Sequence, residues 1–221
     1  MSMVHAQPGP GEELNLGDVT PPRLAASVIV LRGGDEGLEV LLVQRNPASR
    51  FMGGAWVFPG GSVDATDGEG EAGLLAAAIR EVSEEAGVEL RDPAALVPYS
   101  RWITPALVKI RFDTWFYVTH APADAAPRVD GSECVDWRWL TPQDALAAHA
   151  AEQLMLVFPT IKHLEQVGTF ASADELVRHA QGREVRPVEP RVVLEGEVAR
   201  VLLPGDPGYD VEAPAKAKAK A

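Results

Sequence analysis

Three glutamates in one short segment give this sequence its clearest chemical signal. Glu81, Glu84 and Glu85 stand at positions i, i+3 and i+4, so an α-helix would place their carboxylates on one face. Side chains of like charge at this spacing repel one another on an exposed helix. Carboxylate oxygens are the ligands that Mg²⁺ or Mn²⁺ requires, and a bound cation would convert the repulsion into attraction. The spacing therefore indicates a candidate metal site on a helix.

The residues around the glutamates predict a loop followed by that helix. A Pro-Gly-Gly turn at 59–61 leads into an acidic, glycine-rich stretch, and Gly87 would end the helix. Arg80 precedes Glu84 by four residues and can hold one carboxylate in orientation without taking the place of the metal. A separate apolar face of the helix is expected to pack into the core, and it comprises Leu75, Ile79, Val82 and Ala86.

Taken alone, an acidic helix segment is more often a solvated surface than a metal site. Here the run Arg-Glu-x-x-Glu-Glu-x-Gly follows a Phe-Pro-Gly-Gly turn. The combination resembles the Nudix box, the signature of hydrolases that cleave a diphosphate linked to another moiety. The matching positions are Gly61, Arg80, Glu81, Val82, Glu84, Glu85, Gly87 and Val88. This resemblance favours the metal site over the solvated surface.

The loop before the helix departs from the family pattern. That pattern has a glutamate eight residues before the arginine and a glycine fourteen before it, and this chain has Ala72 and Thr66 at those places. The segment after Gly61 is therefore longer than the pattern requires. Glu69 and Glu71 are candidates for the missing carboxylate, but their register is off and neither is assigned.

The resemblance implies a division of roles among these residues. The expected ligands of a Mg²⁺ or Mn²⁺ cofactor are Glu81, Glu84 and Glu85 with the backbone carbonyl of Gly60 or Gly61. Arg80 would orient the carboxylates, and Arg80 and Glu84 are the expected catalytic residues. An acidic residue from a later loop serves as general base in many family members. Glu133 or Asp130 is the candidate here, with an ordinary solvated carboxylate as the alternative.

Two arginines upstream predict a phosphate-binding site. Arg45 ends a strand, and Arg50 lies in the proline-containing loop that leads to the glycine turn. A guanidinium group can bind phosphate oxygens in pairs, although both arginines could instead pair with Asp64 or Glu85. The stretch also resembles the motif before the Nudix box in coenzyme A diphosphatases. The matches include Leu41, Leu42, Arg45, Arg50, Gly54, Phe58, Pro59, Gly60, Gly61 and Asp64.

This second resemblance implies a substrate. Coenzyme A or acyl-coenzyme A would be cleaved to 3′,5′-ADP and phosphopantetheine. Two positions depart from the motif: Val43 stands where a threonine is usual, and Asn46 where serine or alanine is usual. The alternatives are a Nudix pyrophosphatase for ADP-ribose, NADH or another nucleoside diphosphate derivative, and a non-catalytic module that binds nucleotides.

Composition limits the class of partner. The chain has 221 residues, of which 46% are hydrophobic, and this suits one domain with terminal extensions. The net charge of −12 argues against nucleic acid, because phosphate neutralisation needs a basic surface. A small nucleotide-diphosphate substrate remains compatible with this charge.

The single cysteine, Cys134, is expected to be a buried strand residue and favours a reducing cytoplasm. No apolar run reaches transmembrane length, so no membrane partner is expected.

The resemblance implies an α/β fold, the Nudix α/β/α sandwich, with a mixed, curled sheet and extra C-terminal helices. We expect a flexible N-terminal arm at 1–22, the Nudix domain with its helical extension at 23–206, and a disordered tail at 207–221. Strands at 24–31 and 38–43 should form a hairpin. Helices are predicted at 153–167 and 172–181, and they could cover an acyl or pantetheine arm or form a homodimer interface. Trp102 and Trp115 could stack on an adenine, although strand aromatics are more often core residues.

Overall fold

The computed structural model describes residues 13–15, 17–33, 37–195 and 198–210. The parts of the predicted arm at 1–12 and 16, and most of the predicted tail, at 211–221, lie outside these ranges. The backbone N–H of Asn15 donates to the carbonyl of Leu107 at 2.7 Å, and the N–H of Lys109 donates to the carbonyl of Glu13 at 2.8 Å. The short piece at 13–15 therefore lies against the segment at 105–109.

The described chain runs through groups of strands separated by one long helix and then by three consecutive helices. The strands are β1 (Arg23–Arg32), β2 (Glu39–Arg45), β3 (Trp56–Val57), β4 (Gly60–Ser62), β5 (Val97–Ile103), β6 (Phe112–His120), β7 (Cys134–Leu140), β8 (Pro187–Val188), β9 (Arg191–Glu195) and β10 (Val198–Leu202). The helices are α1 (Gly70–Ala86), α2 (Pro142–Ala150), α3 (Phe158–Val167) and α4 (Ala173–Ala180), with a 3₁₀ turn at Pro93–Ala95. Across these ranges, no helix combines the length and apolar character needed to span a bilayer.

One mixed sheet forms the centre of the fold. Its strands follow the order β3-β2-β1-β6-β5-β8, while β4 pairs with β1 and β7 pairs with β2. The β1–β6 pair is parallel along nine residues, and the β1–β2, β1–β4, β2–β7 and β5–β6 pairs are antiparallel. The predicted hairpin of β1 and β2 is confirmed. Strands β9 and β10 form a separate antiparallel ribbon.

Helices cover both faces of the sheet. Val28 and Val30 of β1 point into a core that α1 closes, whereas Ile29 and Leu31 point into a second core closed by α2, α3 and α4. All four side chains are fully buried. Strand β6 is likewise packed on both faces, with Tyr117 in the first core and Phe116 in the second. The predicted α/β/α sandwich with additional C-terminal helices is confirmed.

The helix predicted at 153–167 begins five residues later than expected. Glu152 adopts a left-handed backbone with φ 59°, which ends the preceding helical segment. The carbonyl of Met155 then accepts a hydrogen bond from the N–H of Trp56 at 2.8 Å. The backbone at 153–157 thus makes part of its hydrogen bonds with the edge of the sheet instead of within a helix. Helix α3 therefore starts only at Phe158. The predicted cap of the next helix is confirmed, because the Ser172 hydroxyl accepts the N–H of Glu175.

A fully buried histidine ties α3 to the sheet. His163 is 0% exposed and lies 4.2 Å from the ring of Phe116, centroid to centroid. Its Nδ1 must carry the proton, because its partner at 2.7 Å is the carbonyl of Pro159, which can only accept. Nε2 then accepts the hydroxyl proton of Ser100 at 2.6 Å. Burial lowers the pKa of His163 to about 4, so the ring is neutral in the folded protein.

The buried neutral histidine predicts a loss of stability in acid. From pH 6.5 down to 4 the unfolded chain binds a proton at this position and the folded protein does not, so stability falls by up to about 3 kcal/mol. Urea titrations of the wild type and of His163→Gln at pH 4.5 and 7 measure this. The variant is expected to be less stable at pH 7 but to show a smaller drop on acidification. Equal drops in the two proteins would contradict the assignment.

Candidate active site

Helix α1 carries the acidic cluster against the sheet. The helix ends at Gly87, whose φ of 62° lets its N–H close the last turn onto the carbonyl of Ser83. Leu74 and Val82 pack between the helix and the sheet. The buried set of the helix is Gly73, Leu74, Ala77, Ala78, Glu81, Val82, Glu85 and Ala86. The packed face therefore includes two of the three glutamates.

This packing corrects the prediction that the acidic and packed faces of α1 are separate. Leu75 and Ile79 are only partly buried, whereas Glu81 and Glu85 expose 9% and 3% of their surface. The difference arises because β4 presents a glycine, Gly61, to the helix at this point. A Cβ on Gly61 would collide with the carboxylate of Glu81. Gly61 thus makes room for a carboxylate where an apolar residue would otherwise pack.

The glycine turn also binds Glu85, through a backbone N–H group. Gly60 and Gly61 belong to β4 and pair with Ser27 and Ala26 of β1. The N–H of Gly60 donates to Glu85 Oε2 at 2.9 Å. This bond fixes the innermost glutamate against the turn. Glu81, Glu85, Gly60 and Gly61, all predicted to act together, are in contact.

Arg80 connects the helix acids to the loop before the helix. Its Nη1 donates to Glu81 Oε1 at 2.8 Å and to Glu84 Oε2 at 2.9 Å. Nε and Nη2 donate to the two oxygens of Asp67 at 3.0 and 2.8 Å, and Nη2 also reaches the carbonyl of Ser62 at 3.1 Å. All three guanidinium nitrogens are therefore engaged. Glu84 differs from its neighbours, because its side chain is 56% exposed.

Asp67 was missed by the sequence reasoning. Its side chain is 6% exposed, covered by Arg80 rather than by the core. The hydrogen bonds from Arg80 lower the pKa of Asp67, so its carboxylate is ionised at neutral pH. The i, i+3 spacing of Asp64 and Asp67 could have indicated a turn here. In that turn the N–H of Asp67 donates to the carbonyl of Asp64, and the N–H of Asp64 donates to the carboxylate of Asp67. Glu69 and Glu71, the residues considered for this role, lie exposed at the start of α1.

Burial is the main cause of the raised pKa values of the two inner glutamates, Glu81 and Glu85. It raises the pKa of Glu85 to about 7, against the opposing effects of the Gly60 N–H and the Arg45 charge. It also raises the pKa of Glu81, although the hydrogen bond from Arg80 acts in the other direction. Without a cation, the site therefore holds its negative charge at a cost in free energy.

Arg45 reaches this site from the end of β2. Its Nη1 lies 3.7 Å from Glu85 Oε1, and its Nε is buried without a hydrogen-bond partner in the described part of the chain. Arg50 lies exposed in the turn at 46–54 and makes no ion pair with another described residue. The structure thus brings Arg45 to the cluster, whereas Arg50 makes no hydrogen bond or ion pair with the described residues of the cluster. The alternative that Arg45 pairs with Glu85 is also present in the geometry.

The two candidates for the general base have different environments. The carboxylate of Asp130 accepts the N–H groups of Ser132, Glu133 and Cys134 and the hydroxyl of Ser132. These bonds, the Ser132 hydroxyl first, lower its pKa. Asp130 therefore holds the loop in shape. The charge of Glu133 contributes to the raised pKa values of both Glu81 and Glu85, so of the two residues Glu133 is the one that interacts electrostatically with the cluster.

The remaining candidates lie in the core. Cys134 is fully buried at the start of β7, as expected, and burial raises the pKa of its thiol well above its ordinary range. Trp102 is 6% exposed and packs against Phe158 with ring centroids 6.2 Å apart, so it is not available to an adenine. Trp115 is partly buried beneath the guanidinium of Arg101, 5.3 Å from the ring centroid.

Comparisons with known proteins point to one family. The acyl-coenzyme A diphosphatase of Homo sapiens is 24% identical, over 79% of this chain and 73% of its own length. The crystal structure of a Nudix hydrolase from Alicyclobacillus acidocaldarius is 26% identical with a TM-score of 0.65, covering 72% of this chain and 96% of that one. The Nudix domain of Shewanella oneidensis NrtR, solved with ADP ribose, shares the fold at 22% identity, with a TM-score of 0.53 and coverage of 67% and 87%. The family model of the NUDIX domain matches residues 21–158. The chain therefore belongs to the Nudix hydrolase family.

Proposed function

We propose that this protein is a Mg²⁺- or Mn²⁺-dependent hydrolase of a diphosphate linkage in a nucleotide derivative, with coenzyme A or acyl-coenzyme A as its substrate. The products would be 3′,5′-ADP and phosphopantetheine or its acyl form. One observation carries the proposal. The carboxylates of Glu81 and Glu85 are buried against the Gly60–Gly61 turn, with the guanidinium of Arg45 beside them.

The donor set fits a hard divalent cation. One nitrogen of Arg80 lies within 3 Å of oxygens of both Glu81 and Glu84, so two carboxylates already converge on one positive charge. Among the described residues, no three His, Cys, Asp or Glu side chains form a ready-made ligand cluster. Mg²⁺ usually keeps several waters and takes substrate phosphates as further ligands, so the carboxylates of Glu81, Glu84 and Glu85 need not enclose it by themselves. The raised pKa of Glu85 also indicates that the site favours an added cation.

The residues of the chain can then be assigned roles in the reaction. Glu81, Glu84 and Glu85, with a carbonyl of the glycine turn, would hold the cation. When bound, it supplies charge neutralisation at the phosphoryl oxygens and a lower pKa for the attacking water. Arg80 holds the carboxylates in place. Arg45, whose Nε has no hydrogen-bond partner among the described residues, donates to a substrate phosphate, and Arg50 is the second candidate for phosphate binding. Glu133 takes the proton of the water.

The choice of substrate rests on two similarities. The human relative is named an acyl-coenzyme A diphosphatase. Several positions between Leu41 and Asp64 also resemble the coenzyme A motif, with departures at Val43 and Asn46. The alternative substrates are ADP-ribose, NADH and other nucleoside diphosphate derivatives. A non-catalytic role is disfavoured because Arg80 and the three glutamates that follow it in the box, Glu81, Glu84 and Glu85, are present.

Glu84→Gln is expected to abolish most of the turnover without affecting the fold. The substitution removes the charge of one metal ligand, so kcat should fall by roughly 10³-fold, while the exposed position keeps the melting temperature close to that of the wild type. The measurement is product formation with Mg²⁺ present. Glu89→Gln, an exposed glutamate just after the helix, is the matched control. Near-normal turnover in the Glu84 variant would exclude α1 as the metal site.

A substrate panel tests the second part of the proposal. Coenzyme A and acyl-coenzyme A should be cleaved faster than ADP-ribose, NADH or nucleoside triphosphates, with 3′,5′-ADP as the nucleotide product. Chromatography of parallel digests, with and without Mg²⁺, gives the ranking. If ADP-ribose were cleaved ten times faster than coenzyme A, ADP-ribose would be assigned as the substrate instead. No cleavage of any compound in the panel would favour the binding module.

The buried charge of Glu85 predicts a pH-dependent effect in the metal-free protein. A carboxyl whose folded pKa is raised from 4.5 to about 7 destabilises the fold as the pH rises through that interval, by about 2 to 3 kcal/mol. Glu85→Gln mimics the protonated form. With a chelator present, it should be more stable than the wild type at pH 8 and equal to it at pH 5, by urea denaturation. Glu84→Gln, at the exposed position, should show little difference at either pH.

A further inference from the structure

The loop between β4 and α1 supplies a carboxylate that the box of this chain lacks. The family pattern places a glutamate where this chain has Ala72, and Ala72 is exposed on the first turn of α1. We propose that Asp67 is the residue that positions Arg80, and through Arg80 the metal-binding glutamates, in place of that missing side chain. This role rests on the metal site of the proposed function.

The contact between Asp67 and Arg80 is the most complete ion pair of the site. Both oxygens of the carboxylate accept from different nitrogens of the guanidinium, at 3.0 and 2.8 Å. Such a two-point contact fixes the plane of the guanidinium as well as its position. The carboxylate is 6% exposed, so water competes little for these bonds. Asp64 makes a much weaker pair, with 3.9 Å to Arg80 and 66% exposure.

The orientation of Arg80 decides what its third nitrogen does. With Nε and Nη2 held by Asp67, only Nη1 is directed at Glu81 and Glu84. Without Asp67, the guanidinium would be free to turn its paired nitrogens onto the glutamates and compete with a metal for their oxygens. The extra loop length therefore has a use: it lets Asp67 approach Arg80 from the loop side, away from the glutamates.

Besides the weakly paired Asp64, the other acidic residues before and at the start of α1 do not make this contact. Glu69 precedes the helix and makes no side-chain cap bond, and Glu71 is exposed in its first turn. Within the described ranges, the carboxylates paired with Arg80 are those of Asp64, Asp67, Glu81 and Glu84. The positioning role thus falls to one residue.

Binding of Mn²⁺, followed by the electron paramagnetic resonance signal of the free ion, tests the role without any substrate. Asp67→Asn keeps the size of the side chain and its turn, and it should weaken Mn²⁺ binding by about tenfold or more. Asp64→Asn removes the same charge from the same loop and should weaken binding by less than about twofold. Wild-type affinity in Asp67→Asn, or equal losses in both variants, would overturn the proposal. Circular dichroism melting confirms that each variant is folded.

A double-mutant cycle with Arg80→Lys shows whether Asp67 acts through the arginine. A lysine has one nitrogen and cannot hold Asp67 and the glutamates together, so Arg80→Lys should weaken Mn²⁺ binding to a similar degree. Adding Asp67→Asn to it should then have little further effect. Fully additive losses would overturn the proposal. If Asp67→Asn does not fold, wild-type Mn²⁺ affinity in Arg80→Lys is the overturning result.

The same titrations separate this role from the proposed function. A wild-type protein that binds no Mn²⁺ would remove the metal site and the positioning role together. A wild-type protein that binds Mn²⁺ and hydrolyses the substrate, with an unaffected Asp67→Asn variant, would remove only the positioning role. In the supporting case, Asp67→Asn should raise the Mn²⁺ concentration needed for half-maximal activity and lower kcat, while KM for the substrate changes little. A role confined to closing the turn would lower the melting temperature alone.

Discussion

The close approach of α1 to a glycine of β4 is the constraint on which the site depends. Gly61 leaves space for the carboxylate of Glu81, which lies one helical turn from the buried Glu85, because a Cβ at Gly61 would collide with Glu81. Burial of these acids is unfavourable in itself. It is tolerated because the N–H of Gly60 and the guanidinium of Arg80 donate to them. The backbone of β4 thus sets both the geometry and the electrostatics of the cluster.

Charge at the site is unbalanced in a way that suits its chemistry. Two arginines face a larger number of carboxylates, which are those of Asp67, Glu81, Glu84, Glu85 and Glu133. Burial raises the pKa of Glu85, the charges of Glu81 and Glu133 raise it further, and the Gly60 N–H and the Arg45 charge do not offset this. Some stability is therefore given up at the position where a cation and a phosphate would bind, a pattern common in enzyme sites.

The sequence predicted the elements of the site better than their orientation. The spacing of Glu81, Glu84 and Glu85 and the stop at Gly87 follow from local rules that need no tertiary information. The inward rotation of the helix depends on what faces it. The periodicity of α1 alone gives no information that Gly61 of β4 lies opposite Glu81. Asp67 was missed for the same reason, since its partner is thirteen residues away across a loop of unusual length. The late start of α3 likewise depends on Trp56.

Strand β1 has consequences for how the chain reaches this fold. It is the hub of the sheet, and its parallel neighbour β6 begins only at Phe112, opposite Arg23. Closing so long a segment must precede the gain from pairing, so non-local topologies of this kind fold slowly. During synthesis the apolar β1–β2 hairpin and α1 leave the ribosome well before β6 exists. The nascent chain is therefore exposed to aggregation until more than half of it has emerged, and chaperone engagement is expected in that window.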